Sequence, residues 1–260
     1  MSRGVRVTML GSGTSTGVPV LGCDCAVCTS EDPRNRRLRP GLKIEAGERV
    51  ILVDTPTDLR QQALLFGLPR LDAVLFTHQH ADHIFGLDEI RVFNFRQRMD
   101  IPCYGNEATL AALRRTFAYA FEPGQEGGGK PRLELLPIDP EGGSFELLGL
   151  DVVPIPVLHG SMPVLGYRIG PFAYVTDCSE IPAASLERLV GTELLILGAL
   201  RYRSHSTHFS IPEAVEMARR IGARRTILTH LAHDVDHGNL QDPLPTEGVE
   251  LGWDGLQLRF

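Results

Sequence analysis

The sequence predicts an α/β (α+β) fold, an αββα sandwich of two facing mixed β-sheets with helices on the outside. Three observations carry this reading. Short apolar runs of strand length alternate with helical patterns along the chain. Those runs bunch in places with helices between them, as face-to-face sheets covered by helices require. Several runs end on one isolated histidine or aspartate, which suits a site built along a common edge of two sheets.

Val5–Leu10 reads as a strand, followed by a loop of small residues from Gly11 to Gly17. Val50–Val53 is a buried strand closed by Asp54 and Pro56, residues 57–66 read as a helix, and Ala73–Phe76 is a second buried strand. A helix is expected after His83 and another over 106–120, before the glycine-rich break Gly127-Gly128-Gly129. Leu133–Leu136, Phe145–Leu148, Val152–Val157, Gly166–Ile169 and Phe172–Val175 read as strands. Helices over 182–190 and 211–221, with Ser210 as N-cap of the latter, and buried strands at Leu194–Leu197 and Thr226–Leu228 complete the pattern. No close repeat or linker interrupts it, so residues 1–260 are expected to form one domain.

The composition, 43% hydrophobic and 22% charged, is that of an ordinary globular protein. No run approaches the roughly 20 apolar residues of a membrane span. Met1-Ser2-Arg3-Gly4 leads into only a short apolar stretch, so no secretory signal is expected and a cytoplasmic location is the default. The formal net charge of −6 argues against long nucleic acid as the main partner.

An odd count of five cysteines, in a chain where no leader is expected, makes a poor disulfide framework. Three of them, Cys23, Cys25 and Cys28, fall within six residues and read better as metal ligands than as free thiols. The strongest signal is Thr77-His78-Gln79-His80-Ala81-Asp82-His83, directly after an apolar strand. Imidazole and carboxylate suit zinc, and also manganese or iron. The strand end lets His78 and His80 point to one metal, while Asp82 and His83 turn toward a second. The remaining donors are expected at other strand ends: His159 after Val152–Leu158, Asp177 after Phe172–Thr176, and His230 after Thr226–Thr229.

This order of residues resembles the metallo-β-lactamase superfamily across essentially the whole chain. The resemblance implies that His78, His80 and His159 bind one metal, that Asp82, His83 and His230 bind another, and that Asp177 bridges them. Asp54 resembles the family's aspartate that accepts a hydrogen bond from a ligand imidazole; a helix N-cap is the competing reading. Gly11-Ser12-Gly13-Thr14-Ser15-Thr16-Gly17-Val18-Pro19 is similar to the first loop of the phosphodiesterase branch, shared by tRNA 3′-processing endonucleases and the PhnP-type cyclic-phosphate phosphodiesterases. In PhnP-like proteins the three cysteines share a structural zinc with a histidine three residues beyond the last catalytic one, which here is His233.

PhnP-like proteins also carry a histidine placed to protonate the leaving group, and His208 aligns with it. Arg201, Arg203 and His205 flank it as candidate substrate contacts or as solvated loop residues. The resemblance implies hydrolysis of a small phosphodiester, a ribosyl 1,2-cyclic phosphate being the specific candidate. A metal-bridging hydroxide would attack phosphorus, with Asp82 in the metal cluster and His208 as general acid. It also suggests a homodimer. A tRNA 3′-endonuclease is the alternative, but Glu122 to Lys130 is too short for a tRNA-binding arm. A lactamase or glyoxalase-type thioesterase would have no use for the cysteines and His208, and a non-catalytic metal-binding module has no use for a proton donor. Gln125 to Gly129 reads equally as a lid or a plain loop.

Overall fold

The computed structural model describes residues 4–123, 129–239, 244 and 248–260. Of the segment Gln125 to Gly129, only Gly129 lies inside these residues.

The first sheet is formed by β1 (Arg6–Gly11), β2 (Gly41–Ala46), β3 (Arg49–Val53), β4 (Ala73–Leu75), β5 (Ile101–Gly105) and β6 (Leu133–Pro137). The second contains β7 (Phe145–Leu147), β8 (Leu150–His159), β9 (Met162–Ile169), β10 (Phe172–Val175), β11 (Leu194–Gly198), β12 (Arg225–Thr229) and β13 (Val249–Leu251). The last strand, β14 (Gln257–Arg259), returns to the first sheet beside β1. The orders are β14-β1-β2-β3-β4-β5-β6 and β13-β12-β11-β10-β9-β8-β7. Both sheets are mixed. β14 through β3 pair antiparallel and β3 through β6 parallel, while β7 through β10 pair antiparallel and β10 through β13 parallel.

Strand alternation puts one set of side chains between the sheets. Val7, Leu42, Ile44, Ile51 and Val53 from the first meet Tyr167, Ile169, Tyr174 and Ile196 from the second in a single buried cluster. The outward faces are closed by helices. On the first sheet lie α1 (Leu59–Phe66), α2 (Ala81–Ile84), α3 (Arg91–Gln97), α4 (Glu107–Thr116) and α5 (Ala118–Phe121), which contribute Leu59, Ile84, Phe93 and Leu113 to a second core. On the second sheet lie α6 (Ala183–Arg188) and α7 (Ile211–Ile221). In α7, Ile211, Ala214, Val215 and Ala218 recur at helical spacing and are all buried. Ser210 and Glu213 form a capping box at its start, and Gly222 ends it at φ 76°.

The predicted architecture stands, with local differences. The helix expected over 106–120 breaks at Phe117 into α4 and α5. A helix follows His83 as expected, α3, and a further helical turn, α2, begins before it at Ala81 and carries Asp82 and His83 itself. Strands β2, β5, β13 and β14 add to the strands expected from the sequence. Among the described residues no helix is long and apolar enough to cross a membrane.

Candidate active site

The parallel runs decide where the site lies. β3 and β4 in one sheet, and β10, β11 and β12 in the other, each release their C-terminal ends on one edge. β8 runs in the same sense as β10, since both are antiparallel to β9. Asp54 follows β3, the Thr77–His83 segment follows β4, His159 ends β8, Asp177 follows β10, and His230 follows β12. The loop from Ala199 to Phe209, which carries His205 and His208, follows β11.

Three of these residues leave their strands in the left-handed backbone region: Asp54 at φ 65°, Asp177 at 52° and His230 at 63°. A non-glycine residue held there costs about 1–3 kcal/mol, and surrounding contacts must maintain it. The sharp turn re-aims each side chain from the strand axis into the cleft.

His78, His80 and His159 present ligand atoms within 4.8 Å of one another, and so do Asp82, His83, Asp177 and His230. His78 Nε2 and His80 Nδ1 are 3.0 Å apart. Asp177 reaches both groups. Its Oδ2 lies 3.9 Å from His78 Nε2 and 3.2 Å from His230 Nε2, and its Oδ1 lies 3.4 Å from His83 Nε2. Asp82 Oδ2 is 3.5 Å from His83 Nε2 and 3.6 Å from His230 Nε2.

These spacings fit divalent cations. Two donors about 2.0–2.1 Å from a shared zinc stand about 2.9 Å apart at a right angle and about 3.4 Å apart at a tetrahedral one. The buried atoms His83 Nε2 and both ring nitrogens of His230 have no hydrogen-bond partner, a state that buried polar groups rarely keep unless an ion or water satisfies them.

The outer partners of the rings are fixed. His83 Nδ1 meets Asp54 Oδ2 at 2.7 Å, His78 Nδ1 lies 3.0 Å from Thr77 Oγ1, and His159 Nδ1 meets the Thr207 carbonyl at 2.7 Å. Asp54 caps no helix; Asp58 stands at the start of α1. Thr77 and Thr207 carry no sequence signal beyond standing beside a histidine.

Charge follows the same geometry. Burial pushes the Asp177 carboxyl up, but His230 and His83 outweigh it and hold it well below the usual range. Burial pushes His83 down, but Asp177 and Asp54 outweigh it and hold the ring well above its ordinary value. The buried carboxylates Asp177 and Asp54 thus favour positive charge at this point, as expected of a cluster suited to a cation.

His208 is half-buried at the mouth, with its ring centroid 4.5 Å from His159 and 4.8 Å from His230. Its donor atom also lies within 4.8 Å of those of His159 and Asp177. Burial first, then the neighbouring His230, lowers its pKa to about 3. His205 stands behind it at 5.3 Å between centroids, its Nδ1 accepting from the Thr207 amide at 3.3 Å. The Arg201 Nε is buried without a partner. Arg203 points outward, its side chain 77% exposed and 3.7 Å from Asp234. The structure therefore brings His205 to the cleft and does not bring Arg203 there.

A second donor group lies beside the first. His233 Nδ1 is 3.4 Å from Cys23 Sγ, 3.5 Å from Cys25 Sγ and 3.5 Å from Cys28 Sγ. Zinc bonds of about 2.3 Å to sulfur and about 2.05 Å to nitrogen at a tetrahedral angle place S and N about 3.6 Å apart. The Cys25 thiol is lowered to about 6, chiefly by a backbone hydrogen bond at Cys28, while burial raises Cys28 to about 11.

The description "Beta-lactamase superfamily domain" matches residues 49–231. A crystal structure described as a new diphosphatase from the PhnP family superposes with a TM-score of 0.91 at 42% identity, covering 100% of this chain and 98% of that one. An octanoyltransferase of Porphyromonas gingivalis is 40% identical over 257 residues, covering 97% of this chain and 51% of that protein, so the chain spans about half its length. A ribonuclease Z of Mycobacterium sp. (strain KMS) is 27% identical over 267 residues, covering 92% of this chain and 88% of the relative. The chain belongs to the beta-lactamase superfamily and, within it, to the PhnP family.

Proposed function

We propose that the chain hydrolyses a small phosphodiester, with a ribosyl 1,2-cyclic phosphate as the specific candidate. In this reading His78, His80 and His159 hold one divalent cation, Asp82, His83 and His230 hold a second, and Asp177 touches both. Zinc, manganese and iron all suit these donors. When bound, such a pair supplies an activated water at neutral pH and offsets charge on the phosphoryl oxygens. Cys23, Cys25, Cys28 and His233 hold a structural zinc.

The chain's own residues do the rest. Asp54 and the Thr207 carbonyl keep the outer nitrogens of His83 and His159 protonated, so that their Nε2 lone pairs face the cleft. His208 is the proton donor to the departing oxygen, worth roughly 10²–10⁴-fold. Burial and the neighbouring His230 lower its pKa, and the negative charge of a seated phosphodiester acts the other way, favouring the protonated form.

The observation that carries the proposal is the placement of the His208 ring between His159 and His230, a titratable group at the mouth of two donor clusters. Ribonuclease Z activity is the second reading, favoured by the mycobacterial relatives. Turnover of bis(p-nitrophenyl) phosphate, a ribosyl 1,2-cyclic phosphate and a precursor tRNA, with metal content per chain, separates the two. Cleavage of the small diesters alone supports the proposal. Cleavage of precursor tRNA with no turnover of the cyclic phosphate replaces it with the second reading.

A further inference from the structure

His230 and His233 sit on one short turn, yet each belongs to a different donor cluster. Whatever fixes that turn aims both. Its backbone is tied on two sides: the Leu231 amide donates to the Ser12 carbonyl at 2.8 Å, and the Ala232 amide donates to the Leu200 carbonyl at 2.9 Å. The Thr14 amide also donates to the Leu231 carbonyl at 3.2 Å. A further grip comes from Arg37, a residue only 1% exposed. Its Nη1 donates to the Ala232 carbonyl at 2.9 Å, and its Nη2 donates to the Val235 carbonyl at 2.7 Å and to Asn35 Oδ1 at 2.9 Å.

The same residue holds the other side. The Arg37 amide donates to the Val18 carbonyl at 2.8 Å and the Val18 amide returns the bond at 2.8 Å, on the segment that leads into Cys23. Arg37 therefore stands between the cysteine loop and the turn that carries one donor of each cluster. Enclosing a guanidinium costs free energy unless its donors are satisfied. Here Nη1 and Nη2 are spent on the Ala232 and Val235 carbonyls, on the turn that carries His230 and His233, and on Asn35, while Nε is buried without a partner. His230, with its backbone at φ 63°, depends on such outside restraint.

We propose that Arg37 is a positioning residue that couples the two clusters, so that metal at the cysteine cluster strengthens metal binding at the histidine–aspartate cluster, and the reverse. The inference rests on the metal assignments of the proposed function. Coupling of this kind is reciprocal and commonly amounts to about 5–150-fold.

The experiment is a double-mutant cycle on the full chain, with zinc affinity at each cluster read by chelator competition rather than by turnover. Cys25→Ser is expected to weaken zinc at the histidine–aspartate cluster by about tenfold. Arg37→Met is expected to weaken it about 10–100-fold, the usual loss when an outer partner of a ligand is removed. The double variant should be no weaker than Arg37→Met alone, because the coupling element is already gone.

Losses that multiply, or an Arg37→Met protein with both affinities unchanged, overturn the proposal. Should Arg37→Met fail to fold, Arg37→Lys keeps the charge but reaches fewer acceptors and should show the same non-additivity at smaller size. Independent affinities in that variant overturn the coupling. Amide exchange at Leu231 and Ala232 gives a mutation-free readout: faster exchange when the cysteine cluster is stripped supports the proposal, and unchanged exchange overturns it. Wild type that binds zinc at both clusters without interdependence removes the coupling alone. Wild type that binds no metal removes the proposed function and the coupling with it.

Discussion

His83 Nδ1 and Asp54 Oδ2 meet at 2.7 Å, and neither side chain is exposed to solvent. The carboxylate is fully engaged, since its Oδ1 accepts from the Thr77 amide at 2.8 Å and its Oδ2 accepts from the Thr77 hydroxyl at 2.8 Å. Burial raises the Asp54 pKa against the opposing pull of His83 and Thr77. Asp54 therefore fixes three things together: the Thr77 backbone, the hydroxyl that faces His78, and the tautomer of His83.

Asp54→Asn tests this. The amide keeps the shape but can turn an N–H toward His83 Nδ1, which favours the wrong ring tautomer. Metal affinity at the histidine–aspartate cluster should fall about 10–100-fold with the fold intact. Chelator competition alongside far-UV circular dichroism measures both. Unaltered affinity would mean that Asp54 serves the fold alone.

For His208 the decisive comparison is turnover against metal content. The proton-donor role predicts that His208→Ala loses roughly 10²–10⁴-fold in kcat on a diester with a poor leaving group. A substrate that departs as p-nitrophenolate needs little protonation and should lose far less. Metal per chain should stay at the wild-type level. Because the His208 donor atom lies within 4.8 Å of His159 and Asp177, loss of metal in His208→Ala would make it a ligand and remove the proton-donor assignment.

Asp254 gives a prediction in pH. Its Oδ1 accepts from the Ser12 amide at 2.8 Å and the Ser12 hydroxyl at 2.7 Å, and its Oδ2 accepts from the Leu38 amide at 2.7 Å. Burial nonetheless raises its pKa to about 6 against those bonds. Since the unfolded value is about 3.9, the group contributes stability that is fully present below that pH and is lost as pH rises through about 6. The Tm of wild type minus that of Asp254→Asn should therefore shrink between about pH 4 and pH 7. Other titrations are shared by both proteins and cancel. A difference that stays flat across this window sinks the prediction.

Much of the site is legible in the sequence because each polar donor interrupts an apolar strand at its end. His159, Asp177 and His230 stand out in this way, and the His78–His83 segment does so by density. The helix start at Ser210 is legible from capping chemistry. Strand β2 is short, and Lys43 and Glu45 alternate with its apolar Leu42 and Ile44; Lys43 is nevertheless 4% exposed, with its Nζ donating to the Phe66 and Gly67 carbonyls. Strand β5 carries Pro102, and β13 and β14 have three residues each, too few for a period to show. Arg37 is illegible for a different reason. It lies in the run Arg34-Asn35-Arg36-Arg37, where a charge normally faces water, and its burial is decided by carbonyls about 195 residues away.

The turn after β3 and the end of α2 are laced through Gly86, and this yields the last prediction. The Gly86 amide donates to the Thr55 carbonyl at 2.9 Å, and the Thr55 amide donates to the His83 carbonyl at 2.8 Å. A Cβ on Gly86 would stand 2.1 Å from the Pro56 carbonyl oxygen and 2.8 Å from Leu59 Cβ. The first obstacle is backbone, so Gly86→Ala must part the two turns, and overpacking of this kind costs about 1–3 kcal/mol. Parting them also lengthens the Asp54–His83 contact, so metal affinity should drop together with Tm. Gly143→Ala is the control, because nothing lies within 4 Å of its added Cβ. If Gly86→Ala melts with the control and retains its metal, the two turns are not held in register by this contact. A joint loss of Tm and metal in Gly86→Ala alone would show that close packing outside the donor set holds Asp54 against His83.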